Sequence, residues 1–473
     1  KAAANMKITL LPDDHALDEV MVVAFGTAKK SAFTGSAAVV DSKVLSQKVT
    51  TNVADALAGS VPGLQLRGAT GQPGSDSNGF KIRGIASMYA STNPLVIVDG
   101  APYPDNLSSI PTDDIESVTV LKDAASAALY GARGASDRAS FYTSLGYLKD
   151  DGVIDASSYE RISARIKADY QAKSWLKLGV NAQYLHSKQE SSPNLDASMA
   201  SGNLMYYTAM IAPIYPVYVR MMGDDGKPYI ATDQYGHKMY DYGVLTGPYG
   251  ITRGFSQSGN PLGSNLYNKN EQGLNQINGT FTADVTFTPW LKLNVTSNVV
   301  YSLLDQMIYT NSFEGPSAAE GGRLEKSNTA YLRTNNTQTL TFMKSFGKHN
   351  VDALVGHEYY KQQIKYLYSA AKGEFSPYLQ EIYAYANKFD GSSYTNNYNV
   401  EGFFGRAQYN YDGRYFASLS YRRDASSYFA KAHRWGDFWS AGGAWIISKE
   451  KWFNAPFVDE LKLKASIGQQ GND

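Results

Sequence analysis

Six histidines, His15, His186, His237, His349, His357 and His433, are the side chains most suited to metal or proton chemistry. Only His349 and His357 lie close in sequence, and that spacing along a strand puts them roughly 27 Å apart, too far to share an ion. The 473-residue chain has no Cys, so thiolate metal sites and disulfides are excluded. No metal site and no cofactor is expected. No nucleophile elbow, phosphate-cradling loop or zinc spacing is present. Glu and Asp are scattered, so no glycosidase pair can be named. Asp99-Gly100 follows the apolar run Leu95 to Val98 and reads as a turn dipeptide rather than a catalytic carboxylate. The expectation is a protein that is not an enzyme.

Tyrosine is the abundant functional type, 35 of 473 residues, with aromatics at 13%. Its apolar ring and wet hydroxyl suit membrane–water boundaries and sugar-binding walls alike. The stretch 203–249 is especially rich. Within it Tyr206, Tyr207, Tyr215, Tyr218, Tyr240 and Tyr242 are the candidate substrate contacts, through rings stacked on sugars or peptide side chains. Self-packing of a long loop is the alternative reading.

Lys+Arg and Asp+Glu are equal at 44 each, so no nucleic-acid partner is expected, since such footprints are basic. No stretch approaches the roughly 18 uninterrupted apolar residues of a membrane helix. Lys1-Ala2-Ala3-Ala4 shows no signal-peptide core, which decides nothing about export.

The chain changes character at about residue 136. Before it, strand-like and helix-like segments alternate, as in a small α+β domain. Lys7 to Leu11 and Glu116 to Lys122 read as strands. Thr50 or Thr51 is placed to cap a helix carrying Val53, Ala54, Leu57 and Ala58, which stops at Gly59 and Pro62-Gly63. Asp123 is placed to cap an Ala-rich helix ending at Tyr130-Gly131.

After residue 136, period two dominates. Ile162, Ala164, Ile166, Ala168 and Tyr170 share one face, against Arg161, Ser163, Arg165, Lys167 and Asp169. After a short turn, Leu176, Leu178, Val180, Ala182 and Tyr184 do the same. Ala168-Asp169 precedes Trp175-Leu176-Lys177-Leu178 just as Ala283-Asp284 precedes Trp290-Leu291-Lys292-Leu293, a repeated strand, tight turn, Trp and strand. Phe346-Gly347-Lys348 and Asp412-Gly413-Arg414 are further tight connections. Between the hairpins, about 187–276, 303–330 and 362–399 read as long irregular loops. Short turns at one end, long loops at the other and aromatics beside the turns describe an outer-membrane barrel. A soluble sandwich or propeller is the rival. About eleven strands are counted, whereas a bacterial barrel is even-numbered and must close, so the chain reads as a fragment at both ends.

Residues 49–135 resemble the plug domain of TonB-dependent transporters. The resemblance lies in Val53-Ala54-Asp55-Ala56-Leu57, Val61-Pro62-Gly63-Leu64, Ile82-Arg83-Gly84, Val96-Ile97-Val98-Asp99-Gly100, Ile115-Glu116-Ser117-Val118, Val120-Leu121-Lys122-Asp123 and Leu129-Tyr130-Gly131-Ala132-Arg133-Gly134. Leu17-Asp18-Glu19-Val20-Met21-Val22-Val23-Ala24 followed by Phe25-Gly26-Thr27 is similar to the SusC/RagA-like branch of Bacteroidota. So are Phe141 to Tyr147, Tyr240 to Gly243 and Leu461 to Gly468. One departure is that Ser136 runs straight into Asp137-Arg138-Ala139, where the family continues the plug with another strand; residues are expected to be missing there.

The resemblance implies a membrane β-barrel, part of a 22-stranded antiparallel barrel with a plugged lumen, and an internal α+β plug domain. It divides the chain into the end of an N-terminal β-sandwich extension (1–12), a Ton box and linker (13–48), the plug (49–136) and part of the barrel (137–473). It implies that Leu17, Asp18, Glu19, Val20, Met21, Val22, Val23 and Ala24 form the Ton box, adding a strand to the sheet edge of TonB; a plug or sandwich strand is the alternative. Arg83 and Arg133, set among glycines and carboxylates, are expected to make plug–barrel ion pairs. The implied function is active import of an oligosaccharide, or alternatively an oligopeptide, across the outer-membrane lipid beneath a SusD-like lipoprotein lid. A passive porin or adhesin, and a soluble carbohydrate-active enzyme, are the other classes.

Overall fold

The computed structural model describes residues 20–23, 26–29, 37–45, 50, 52–57, 59–65, 81–82, 94, 96–98, 101–103, 107–121, 139–153, 155–191, 209–233, 236–243, 253–254, 260–312, 317–455 and 457–469. The expected strand Lys7 to Leu11, the helix after Asp123 and the join at Ser136-Asp137 lie outside these residues.

The first part runs β1 (Val20–Val23), β2 (Gly26–Lys29), β3 (Ala37–Asp41), α1 (Ser42–Leu45), α2 (Val53–Ala56), β4 (Leu64–Gln65), β5 (Lys81–Ile82), β6 (Ile97–Val98), β7 (Ala101–Pro102) and β8 (Ser117–Leu121). β3 pairs antiparallel with β8, Val40 opposite Val118. Val40, Leu45, Val53, Ala56, Leu57, Val61 and Val120 close into one apolar core. The segment 13–48, expected to be a linker, therefore contributes residues 37–45 to this core. Ala-Ala-Val-Val is an apolar, β-prone run that gains by burial, whereas linkers keep their side chains in water. A second correction concerns the cap of α2. Asn52, not Thr50 or Thr51, accepts from the Ala54 amide at 2.8 Å. Thr50 instead donates its hydroxyl to the Asn52 carbonyl at 3.1 Å, bracing the cap. Gly59, at φ 76°, ends the turn in a conformation that favours glycine.

The second part is one antiparallel sheet of 11 strands. In chain order these are β9 (Ala139–Asp151), β10 (Ser158–Lys173), β11 (Leu176–Ser191), β14 (Lys269–Thr288), β15 (Leu291–Thr310), β16 (Arg323–Phe346), β17 (His349–Glu374), β18 (Tyr385–Tyr411), β19 (Tyr415–Ser426), β20 (Trp435–Ile446) and β21 (Lys462–Gln469). Each pairs with its neighbour in that order. β12 (Arg220–Met222), β13 (Pro228–Ile230) and α3 (Pro261–Tyr267) lie in the connection between β11 and β14.

Burial in this sheet is inverted relative to a soluble protein. Ser163, Asn298, Asn335, Thr337 and Thr339 are buried, while Ile166, Val180, Phe281, Val299, Leu340 and Leu419 are exposed. In water an exposed apolar face of this size would be a liability; in lipid it is the required surface. No helix among the described residues is long and apolar enough to cross a membrane.

Tight turns fix the register at one end. Gly347 at φ 60°, and Asp412 and Gly413 at φ 55° and 62°, adopt the left-handed conformation that close hairpins demand. The Trp repeat has one geometry: the Thr286 amide donates to the Trp175 carbonyl at 2.7 Å, and the Met343 amide to the Trp290 carbonyl at 2.9 Å. Each Trp turn is thus stitched to the following hairpin.

The expected loops 303–330 and 362–399 are largely strand. β15 and β16 pair from Thr310 and Arg323 downward, and β17 and β18 pair from Glu374 and Tyr385. Both faces of these extensions are wet, so period-two hydropathy vanishes although the backbone ladder continues. At their top Tyr309, Leu324, Ala371, Ala384 and Tyr385 form a small apolar cluster. Beside it Ser312 and Tyr385 both donate to the Glu374 carboxylate. Burial, reinforced by the Glu374 charge, pushes the Tyr385 phenol well above its ordinary value.

Candidate functional site

The two parts meet through a short segment after β7. The Tyr103 amide donates to the Val96 carbonyl at 2.8 Å, closing the β6–β7 hairpin. Two single 3₁₀ turns follow, Leu107–Ser109 and Thr112–Asp114. Leu107, Ile110 and Ile115 pack against the plug core, which turns the intervening polar groups to the wall.

Those polar groups dock on β9, β10 and β14. Arg161, 7% exposed, donates its guanidinium to the Ser108 carbonyl. Tyr159 donates to the same oxygen at 3.3 Å. Arg165 donates to the Asp114 carbonyl at 3.4 Å and is oriented by Asn181 at 3.0 Å. Tyr142 and Ser144 donate to the two Asp114 carboxylate oxygens at 2.9 and 3.3 Å. Tyr103 donates to Gln276 at 3.2 Å, so Ser109, bonded to the same hydroxyl, supplies the other proton. Gln276 passes the chain on to Ser302 at 3.0 Å.

Further round the inner face, charges are matched locally. Arg406 meets Asp352 at 3.1 Å. Arg422 meets Glu358 and Asp424, both at 2.7 Å. Arg333 donates to Gln362 at 3.0 Å. At the short-turn rim Asp412 joins Lys348 and Arg414, each at 3.0 Å, and the Lys348 hydrogen bond lowers the Asp412 carboxyl from its ordinary value. Each docking bond is worth about 0.5–3 kcal/mol net, so the set is firm together and breakable in sequence.

Of the residues expected from sequence, Val20–Val23 form β1, paired with Gly26–Lys29; Leu17, Asp18, Glu19 and Ala24 lie outside the described residues. So do Arg83, Arg133, Tyr206 and Tyr207. Tyr218 and Tyr240 pack ring to ring, centroids 4.8 Å apart, and Tyr240 meets Tyr267 of α3 edge-on at 5.8 Å. Tyr242 is buried against the Gly263 backbone. Tyr215 donates its amide to the Ala212 carbonyl at 3.0 Å. Asn260 ties this loop together, donating to the Val217 and Asp241 carbonyls at 3.0 Å and capping α3. The described part of this loop packs together, and Tyr240 and Tyr242 serve its interior.

Sequence reasoning missed Ser108, Asp114, Tyr142, Arg161 and Arg165 as docking residues. A usable signal was present. Arg161 and Arg165 lie on the polar face of a strand whose other face suits lipid, so their partners had to come from inside.

Comparison with known proteins follows the same division. The family model described as the TonB-dependent Receptor Plug Domain matches residues 29–136. TonB-dependent receptor SusC of Bacteroides thetaiotaomicron is 24% identical over 99% of this chain and 55% of its own length. TonB-dependent receptor P26 of Formosa agariphila is 25% identical over 98% of this chain and 54% of its own. The chain thus spans about half the length of the curated relatives it matches. Among solved structures, the RagAB peptide transporter superposes with a TM-score of 0.71 at 20% identity, over 92% of this chain and 60% of that one. The ferric citrate transporter FecA gives 0.55 at 11% identity, over 91% and 64%. With an inner domain docked on the polar face of an inverted β-sheet, the chain carries a TonB-dependent receptor plug domain at residues 29–136 and is similar along its length to the SusC/RagA-like receptors of the outer membrane.

Proposed function

We propose that the protein to which this chain belongs actively imports a nutrient oligosaccharide across the outer membrane. The observation that carries the reading is the docking of 103–114 on β9, β10 and β14 through separate, reversible polar bonds. A permanent partition would favour apolar burial; a gate that must release favours bonds water can replace. Residues Leu17 to Ala24 are the handle. Val20–Val23 already hold extended backbone, paired with β2, a segment of the kind that can add a strand to the sheet edge of TonB. A SusD-like surface lipoprotein covers the long-loop side, and ligand beneath it shifts the population in which the handle hangs free. Arg83 and Arg133 would add plug–barrel ion pairs to the hydrogen bonds described.

Deleting residues 17–24 in the complete protein tests this. Uptake lost with ligand binding retained is the expected result. Unchanged uptake would mean a passive porin or an adhesin.

An oligopeptide cargo is the second reading, favoured by the likeness to the RagAB peptide transporter. Competition of uptake by peptide mixtures, and not by neutral glycans, would select it.

A further inference from the structure

We infer that the bore-facing side of β17 and β18, above the lipid-facing band, is a binding wall for an uncharged oligosaccharide. The inference rests on the importer reading and names the cargo-contacting surface within it.

Which face looks into the bore follows from parity. On β17 Leu354 is buried and Val355 is 59% exposed, so even positions point inward. Tyr360, Tyr366 and Tyr368 share that inward parity, while Leu367, 60% exposed, looks outward. The register places Tyr394 opposite Tyr366 and Tyr398 opposite Gln362, on the same inner face.

The rings form two stacks. Tyr366 and Tyr394 lie 5.0 Å apart at 29°, and Tyr366 and Tyr368 lie 6.5 Å apart at 7°. Tyr398 and Tyr428 lie 4.4 Å apart at 25°, with Tyr360 edge-on to Tyr398 at 6.0 Å. Tyr394 and Tyr398 are four positions apart on β18, about 13 Å along the strand. That span fits a chain of several rings better than one monosaccharide.

Lower on the inner face, neighbouring β16 presents small polar side chains, Asn335, Thr337 and Thr339, and β17 and β18 present the ion pair Arg406–Asp352. The change to tyrosine is not explained by a core, because Tyr394 is 55% exposed. Arg333 is engaged by Gln362 and lies over the Tyr331 ring at 4.7 Å. Glu325 is held by Arg323 at 2.8 Å and by the Tyr368 hydroxyl at 2.8 Å. The wall therefore offers aromatic faces with hydroxyl and amide edges, and its Arg333 and Glu325 are already engaged by neighbours. A pyranose chain has the complementary form, C–H faces for the rings and hydroxyls for the edges.

The complete protein, purified in detergent without TonB, would be titrated calorimetrically with neutral hexaoses (malto-, cello-, xylo- and mannohexaose) and, separately, with a tryptic casein digest. At least one hexaose should bind. The Tyr366→Ala/Tyr394→Ala variant should weaken it by roughly tenfold, as expected for lost aromatic faces, and Tyr366→Phe/Tyr394→Phe should retain most affinity. Heat-modifiable gel mobility reports whether each variant barrel is folded; Tyr398→Ala replaces the double variant if it is not. Binding of no hexaose, binding of peptides alone, or unchanged affinity in the alanine variants would overturn the proposal. Because this measurement needs no energy source, uptake that survives deletion of 17–24 would sink the importer reading and leave the binding wall standing.

Discussion

Arg161, on the inner face of β10, holds the backbone carbonyl of Ser108 in the plug. A buried cation on the barrel side is thereby answered by an oxygen that every residue possesses. Tyr159 shares that oxygen at 3.3 Å, so one carbonyl joins the plug to two wall residues on the same strand.

Arg161→Gln should loosen this join without unfolding the sheet. A hydrogen bond from a charged donor is worth about 1.5–3 kcal/mol, and a shorter neutral amide recovers only part of it. Hydrogen exchange at residues 107–115 should accelerate by one to two orders of magnitude, roughly the kinetic equivalent of that energy, while β15 and β16 stay protected. Equal exchange in both proteins would remove Arg161 from the latch.

Asp114 and Tyr142 should be coupled. The phenol donates to the carboxylate at 2.9 Å, so Asp114→Ala and Tyr142→Phe remove the same bond. A double-mutant cycle on plug release in urea should give a coupling of about 0.5–1.5 kcal/mol. Strict additivity would show that the bond contributes nothing.

Val355 should tolerate leucine and reject arginine. It sits on the outward face of β17, six residues from the strand's start at His349, between Ala353 and His357. A cation there should cost about 2–4 kcal/mol in a bilayer, read from folding titrations in lipid vesicles. A negligible cost would mean that this face does not meet lipid.

The cluster at the top of β15–β18 should weaken in alkali. Burial and Glu374 raise the Tyr385 phenol in the folded protein, so the neutral form is the one that fits. That stability is complete below the unfolded value of about 10 and is lost as pH rises toward the folded one. Thermal melts from pH 8 to 11 should fall more steeply for the natural protein than for Tyr385→Phe. Parallel slopes would exclude Tyr385 as the sensitive group.

What the sequence reveals here depends on the medium each face meets. Ile162 to Tyr170 and Leu176 to Tyr184 alternate because one side is lipid and the other a polar bore, and both strands are legible. Tyr360 to Tyr368 and Tyr394 to Tyr398 belong to equally regular strands, yet both sides are wet and the contrast vanishes, so they read as loop. The plug core was legible in Val53, Leu57 and Val120, but the contribution of Ala37 to Leu45 was hidden by an apparent linker. The latch was half legible: Arg161 and Arg165 demand inner partners, whereas Ser108 acts through its backbone, on which side-chain identity is silent. The tyrosines of 203–249 drew attention by density, although Tyr240 and Tyr242 brace their own loop.

The turns at Trp175, Trp290 and Gly347 have an evolutionary corollary. Each hairpin is locked where it reverses, and each strand pairs only with its neighbours in the chain. A segment inserted or exchanged at the opposite ends, as between Ser191 and Lys269, leaves every register below it intact. Selection can therefore reshape that end of the molecule while the sheet that carries it is inherited unchanged.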